Sequence, residues 1–182
     1  MRPIDVATPL SSVLDQYEQI RHLTILAMLG QTTLLAATLA LAGAVSAVGN
    51  AVVKNNCNFD VTVWSVGSEI SAPNTLRKGQ SYSEQFSRDP KTGGRALKVT
   101  REPDGLFTGK PQTIFAYNLN GGRIWYDLSD VFGDAFAGHK LVEGSADTSC
   151  PSIVWPNGTP PAGSQVKNCR DSADVTLTIC SK

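Results

Sequence analysis

Four cysteines constrain this chain more than any other feature. Cys57, Cys150, Cys169 and Cys180 all lie beyond a long apolar leader. An even number of cysteines behind a leader of that kind implies export and two disulfides. No pair has the C-x-x-C spacing of zinc or redox sites, and His139 is the single histidine beyond the leader, so no metal site is expected. Four cysteines admit three pairings. If the first and last cysteines flank the first and last strands, Cys57 with Cys180 and Cys150 with Cys169 form a nested set, but spacing alone leaves the choice open.

The leader carries Arg2, Asp5, Asp15, Glu18 and Arg21, and no further charge until Lys54. Leu23 to Val48 is almost wholly apolar or small and closes on Val45-Ser46-Ala47, the small-residue end that a signal peptidase cuts. Residues 1–47 are therefore expected to be a signal peptide, with Met28 as an alternative start. The apolar run is also long enough to span a bilayer, so membrane contact is expected only through this segment before its removal. Residues 48–182 are expected to form one domain. Taking Arg2 and Arg21 from the 16 basic residues, and Asp5, Asp15 and Glu18 from the 16 acids, leaves that domain a net charge of +1. So balanced a charge offers no footprint for nucleic acid and little attraction to anionic lipid.

Beyond the leader the apolar pattern has a period of two. In Phe59-Asp60-Val61-Thr62-Val63-Trp64 the apolar Phe59, Val61 and Val63 face one way, and Asp60, Thr62 and Trp64 the other, which predicts a half-buried strand. Further strands are expected at Ala51–Val53, Ser81–Phe86, Arg95–Thr100, Thr113–Leu119, Arg123–Leu128 and Val175–Ile179. Asn120-Gly121-Gly122 between two of them predicts a tight hairpin, because Asn-Gly tolerates positive φ. Asp130 to Gly138 is expected to hold a helical turn, and Pro151 to Gly163 to be a proline-rich loop. No window sustains the spacing of an amphipathic helix over three turns. Many short strands with Gly and Pro turns predict an all-β sandwich.

Two stretches carry a resemblance. Val53-Lys54-Asn55-Asn56-Cys57 with Val61-Thr62-Val63-Trp64 resembles the opening of thaumatin-like proteins. Phe115 to Asn120 with Trp125 to Gly133 resembles that family's paired segments "AEFxLN" and "YDxSxVDGFN". The size, the four cysteines and the closing Thr176-Leu177-Thr178-Ile179-Cys180 resemble the small fungal secreted branch of the Blastomyces yeast-phase-specific type, also called antigenic thaumatin-like. The resemblance implies a thaumatin-like β-sandwich, secretion and a bridge between Cys57 and Cys180. Some larger relatives bind or weakly cleave β-1,3-glucan through an acidic cleft, but here the cleft glutamate falls on Ala116 and most of the family's cysteines are missing. Hydrolysis does not carry over with the resemblance.

The side-chain inventory agrees. Glycoside cleavage needs two carboxyls about 5 to 9.5 Å apart. Asp127, Asp130 and Asp134 are the densest acidic group, yet such a turn more commonly uses its aspartates to cap backbone amides. No Gly-x-Ser-x-Gly element occurs, and His139 is expected at the surface. Trp64 and Trp125 each share a strand face with polar residues, so each is a candidate platform for a sugar or a protein partner. Asn157-Gly158-Thr159 is an N-glycosylation acceptor on the proline-rich loop. These residues predict a secreted, non-enzymatic protein without a cofactor. Its expected partner is cell-wall polysaccharide or an extracellular protein of a host or competitor, through Trp64, Trp125, Asp127 and Asp130. A weak endo-β-1,3-glucanase and an antimicrobial protein are the alternatives.

Overall fold

The computed structural model describes residues 47–182, so the expected leader, apart from Ala47, lies outside the described residues. Among the described residues eleven strands form two sheets. In chain order they are β1 (Asn50–Asn55), β2 (Val61–Val66), β3 (Asn74–Leu76), β4 (Ser81–Gln85), β5 (Arg95–Thr100), β6 (Thr113–Asn120), β7 (Arg123–Ser129), β8 (Leu141–Gly144), β9 (Ile153–Trp155), β10 (Lys167–Arg170) and β11 (Val175–Ile179). One sheet has the order β4-β1-β11-β8-β9, the other β10-β7-β6-β5-β2-β3. First and last strands run parallel, with Val53 beside Leu177, and every other pair is antiparallel.

The core lies between the sheets and is built by the period of two. Val53, Leu177 and Ile179 from one sheet and Val63, Val99, Phe115, Ile124 and Leu128 from the other are buried. The β6–β7 hairpin turns on Gly121 and Gly122, with φ of 60° and 73°, while Asn120 is still paired with Arg123. The two glycines, rather than Asn-Gly, supply the positive φ that a two-residue turn needs.

Both staples join elements distant in sequence. Cys57–Cys180 closes a separation of 123 residues just past the parallel pair β1 and β11. Cys150–Cys169 spans 19 residues and ties the chain before β9 to β10 on the other sheet. In the chain-entropy picture bridges of these spans contribute about 3 to 5 kcal/mol each.

Three expectations are corrected here. The expected proline-rich loop contains β9, whose Ile153 and Trp155 are core residues. Asp130–Gly138 forms turns and no helix. β2 is buried on both faces, because Phe107 packs edge-on against Trp64 at 6.4 Å from the loop after β5.

Candidate functional site: a groove on the outer sheet face

The outer face of the six-stranded sheet carries a groove of about 500 Å³. Its floor is one row of side chains in direct register across four strands. Val66 on β2 pairs with Ala96 on β5, Ala96 with Ala116 on β6, and Ala116 with Asp127 on β7. The groove exists because the middle of that row consists of two methyl groups. Trp125, on the same face of β7, forms one flank and is 43% exposed.

The opposite wall, around Thr92 and Gly94, is a loop held by buried polar groups. Asp89 is 2% exposed and accepts hydrogen bonds from the backbone N–H of Ser68 (2.8 Å), Lys91 (3.0 Å) and Thr92 (2.9 Å), and from the Ser68 hydroxyl (2.9 Å). These donors hold its carboxyl well below the ordinary value of 3.8, Thr92 contributing most. Gly67 is required beside it, since a Cβ there would lie 2.5 Å from an Asp89 oxygen. Asn118 on β6 donates to the Gly93 carbonyl at 2.8 Å and fastens the wall to the sheet.

Behind the wall Glu84 on β4 reaches across from the other sheet. It accepts from the Tyr82 hydroxyl at 2.8 Å and the Tyr117 hydroxyl at 2.5 Å, and lies 3.4 Å from the Arg95 guanidinium. Arg95 also donates to the Ser65 hydroxyl at 2.8 Å. Burial first, and then Glu84, push the Tyr82 hydroxyl up to about 12 and Tyr117 further still.

Of the residues singled out from the sequence, the structure brings Trp125 and Asp127 together on this groove. Asp127 is half-buried at the end of the floor row, and burial raises its carboxyl above the ordinary range. Among the described residues lining the groove it is the one carboxylate. Asp130 lies past the end of β7 in a turn closed by Gly133 N–H to its carbonyl at 2.7 Å. Burial and the neighbouring Asp134 carboxyl raise it to about 6. Trp64 is fully buried and is no platform for a ligand. His139 is half-buried, edge-on to Phe59 with centroids 5.3 Å apart, and not a free surface residue. Asn157 is exposed in the turn after β9. Among the described residues no three potential metal ligands cluster.

The sequence reading missed the roles of Ala96, Asn118, Asp89, Glu84 and Arg95. Asp89 stands before Pro90 in a turn-forming stretch, a signal for an aspartate that binds following amides. Glu84 alternates with Tyr82 along β4, but nothing local shows that their shared face meets Arg95.

The family model described as Blastomyces yeast-phase-specific protein matches residues 38–181. An antigenic thaumatin-like protein of Arthroderma benhamiae is 29% identical over 157 residues, covering 81% of this chain and 78% of that protein. The secreted thaumatin-like protein calA of Emericella nidulans is 30% identical over 165 residues, covering 80% and 93%. Among solved structures, the protein elicitor MoHrip2 from Magnaporthe oryzae is 25% identical with a TM-score of 0.61, covering 73% of this chain and 99% of that one. The thaumatin-like xylanase inhibitor TLXI, at 12% identity and a TM-score of 0.53, shares the fold over 72% of this chain and 99% of its own.

Proposed function

Because the chain belongs to the Blastomyces yeast-phase-specific protein family, and is thus a secreted thaumatin-like protein, we propose that it works outside the cell by binding cell-wall polysaccharide in the outer-face groove, without cleaving it. One observation carries this reading: the groove pairs an exposed Trp125 ring with a single carboxylate, Asp127. A flat ring beside a polar row suits a sugar face, whose C–H groups stack on the aromatic while its hydroxyls meet Asn118, Thr92 and Asp127. Glycoside hydrolysis needs a second carboxyl across the bond, and the acid on which Asp127 acts, Glu143, is buried in the core. The same reading has residues 1–47 removed on export, so N-terminal sequencing of the secreted product starts at Val48.

The test is retention of the secreted protein on insoluble β-glucan, chitin and whole cell walls. Trp125→Ala is expected to weaken retention at least tenfold, about 1.4 kcal/mol. Val154→Ala, which trims an exposed apolar residue on the other sheet, leaves it unchanged. Retention on none of these, or a Trp125→Ala protein that binds like wild type, removes the polysaccharide reading. Reducing sugar released from laminarin, and lost in Asp127→Asn, replaces it with the glucanase.

A further inference from the structure

Glu143 is the acid that the fold does not explain. It stands on β8 between Ile153 on β9 and Leu177 on β11, and its side chain enters the space between the sheets with that of Leu141. It is 0% exposed, and neither carboxyl oxygen has a hydrogen-bond partner. Its cross-strand neighbours Ile153 and Leu177 carry no charge. From β7, Tyr126 and Asp127 face it: Tyr126 offers it no hydrogen bond, and Asp127 opposes its ionisation. The Tyr126 hydroxyl is committed to the Pro151 carbonyl and is itself pushed up to about 12, by burial first and then by the Glu143 charge. Asp127 adds a like charge.

An ionised carboxylate without a partner is too costly to hold in such a place, so the group takes up a proton instead. We propose that Glu143 is an acid lock: its neutral carboxyl seats β8 against β7, so the fold is tightest in acidic surroundings and loosens as the medium turns neutral. The sign follows from proton counting. The unfolded chain releases this proton near the ordinary value of 4.5, whereas burial, and then Asp127, hold it on the folded chain to well above that. The folded state therefore binds more protons over that interval, and its stability falls as pH rises through it. The strands that loosen are β8 and β9, which end their sheet.

Urea unfolding of the secreted protein from pH 4 to pH 8 tests this, with Glu143→Gln as the neutral isostere. Wild type and Glu143→Gln are expected to unfold alike near pH 4. Above about pH 5 the wild-type unfolding constant grows relative to the variant by up to tenfold per pH unit, until the folded-state carboxyl ionises. Glu143→Leu supplies the same comparison if the glutamine variant does not fold. The infrared spectrum of the wild type at pH 6 is expected to hold one protonated-carboxyl band that neither variant shows, beyond the Asp130 contribution common to all three. Parallel pH profiles for wild type and variant, or no such band, overturn the proposal.

Discussion

Asp89 and Glu143 are buried to the same degree and are opposite in every other respect. Asp89, 2% exposed, sits in a loop that folds four donors around it. Glu143, 0% exposed, sits mid-strand, where backbone amides belong to neighbouring strands and none is free to turn toward a side chain. The first is held as an anion and the second as an acid. Burial alone therefore does not decide the charge of a carboxyl. The supply of donors decides, and in this sandwich donors are found in loops and at sheet edges. The two groups also oppose each other in pH. Asp89 contributes stability above its ordinary value of 3.8 that is lost as its folded-state anion takes up a proton in acid, and Glu143 contributes stability that is lost above 4.5. Asp147 acts with Asp89, and Asp127 and Asp130 act with Glu143. The stability maximum is expected near pH 4 to 5, located by thermal melts across pH.

The comparison breaks most completely if Asp89 loses its carboxylate. Asp89→Ala leaves the amides of Ser68, Lys91 and Thr92 facing an apolar methyl in a site that admits little water. The melting temperature at pH 7 is expected to fall by on the order of 10 °C, the largest drop of these substitutions. The acid limb of the pH profile flattens as well. The groove wall goes with it, so weaker retention on polysaccharide accompanies the loss. A melt within a few degrees of wild type shows that the loop does not depend on this anion.

Glu84 lies between the two extremes and sharpens the comparison. Its side chain is 17% exposed, and its donors are side chains from both sheets: Tyr82 on its own strand, and Tyr117 and Arg95 on the other sheet. Tyr117→Phe removes one donor and leaves Tyr82 and Arg95 in place. The expected cost is about 1 to 2 kcal/mol, read from the urea midpoint at unchanged slope. Tyr82→Phe costs less, because that residue is less buried. A neutral Tyr117→Phe shows that Tyr82 and Arg95 suffice for Glu84.

How legible these sites are in the sequence follows the same division. Seven strands, the two-layer class and the β6–β7 hairpin show themselves through period-two runs such as Val175-Thr176-Leu177-Thr178-Ile179. β3, β8, β9 and β10 do not, because runs of three or four residues such as Ile153-Val154-Trp155 are too short for a period to emerge and stand among prolines and glycines. Trp64 misled for another reason: alternation shows which face a ring takes, but not that the loop carrying Phe107 covers that face. Trp125, by the same rule, proved exposed beside Asp127. The groove floor was the least legible part. It is a row of small residues on neighbouring strands, from Ala96 to Ala116, and only the register aligns them. Glu143 has the inward phase of Leu141, yet without the strand assigned an acid there looks like a loop residue.

Asp147 supplies the smallest effect and the cleanest separation of hydrogen bonding from charge. Its carboxyl lies below the ordinary range chiefly because of Ser149, first through its hydroxyl and then through its backbone N–H, which donates at 2.9 Å. Arg170, 3.7 Å away, is 71% exposed and contributes less. If donors rather than nearby charges set the state of a carboxyl in this fold, as Asp89 and Glu143 indicate, Arg170 is dispensable. Solvent screening weakens an exposed pair, and holding a long side chain in one geometry costs entropy. Arg170→Ala is therefore expected to melt within about 2 °C of wild type at low salt, and added salt should not change the difference. Ser149→Pro, which removes both the hydroxyl and the amide donor, should raise the Asp147 carboxyl measurably by NMR titration while Arg170→Ala leaves it near its wild-type position. The reverse order would mean that charge outweighs hydrogen bonding at this surface, and the contrast between the two buried acids would then need another cause.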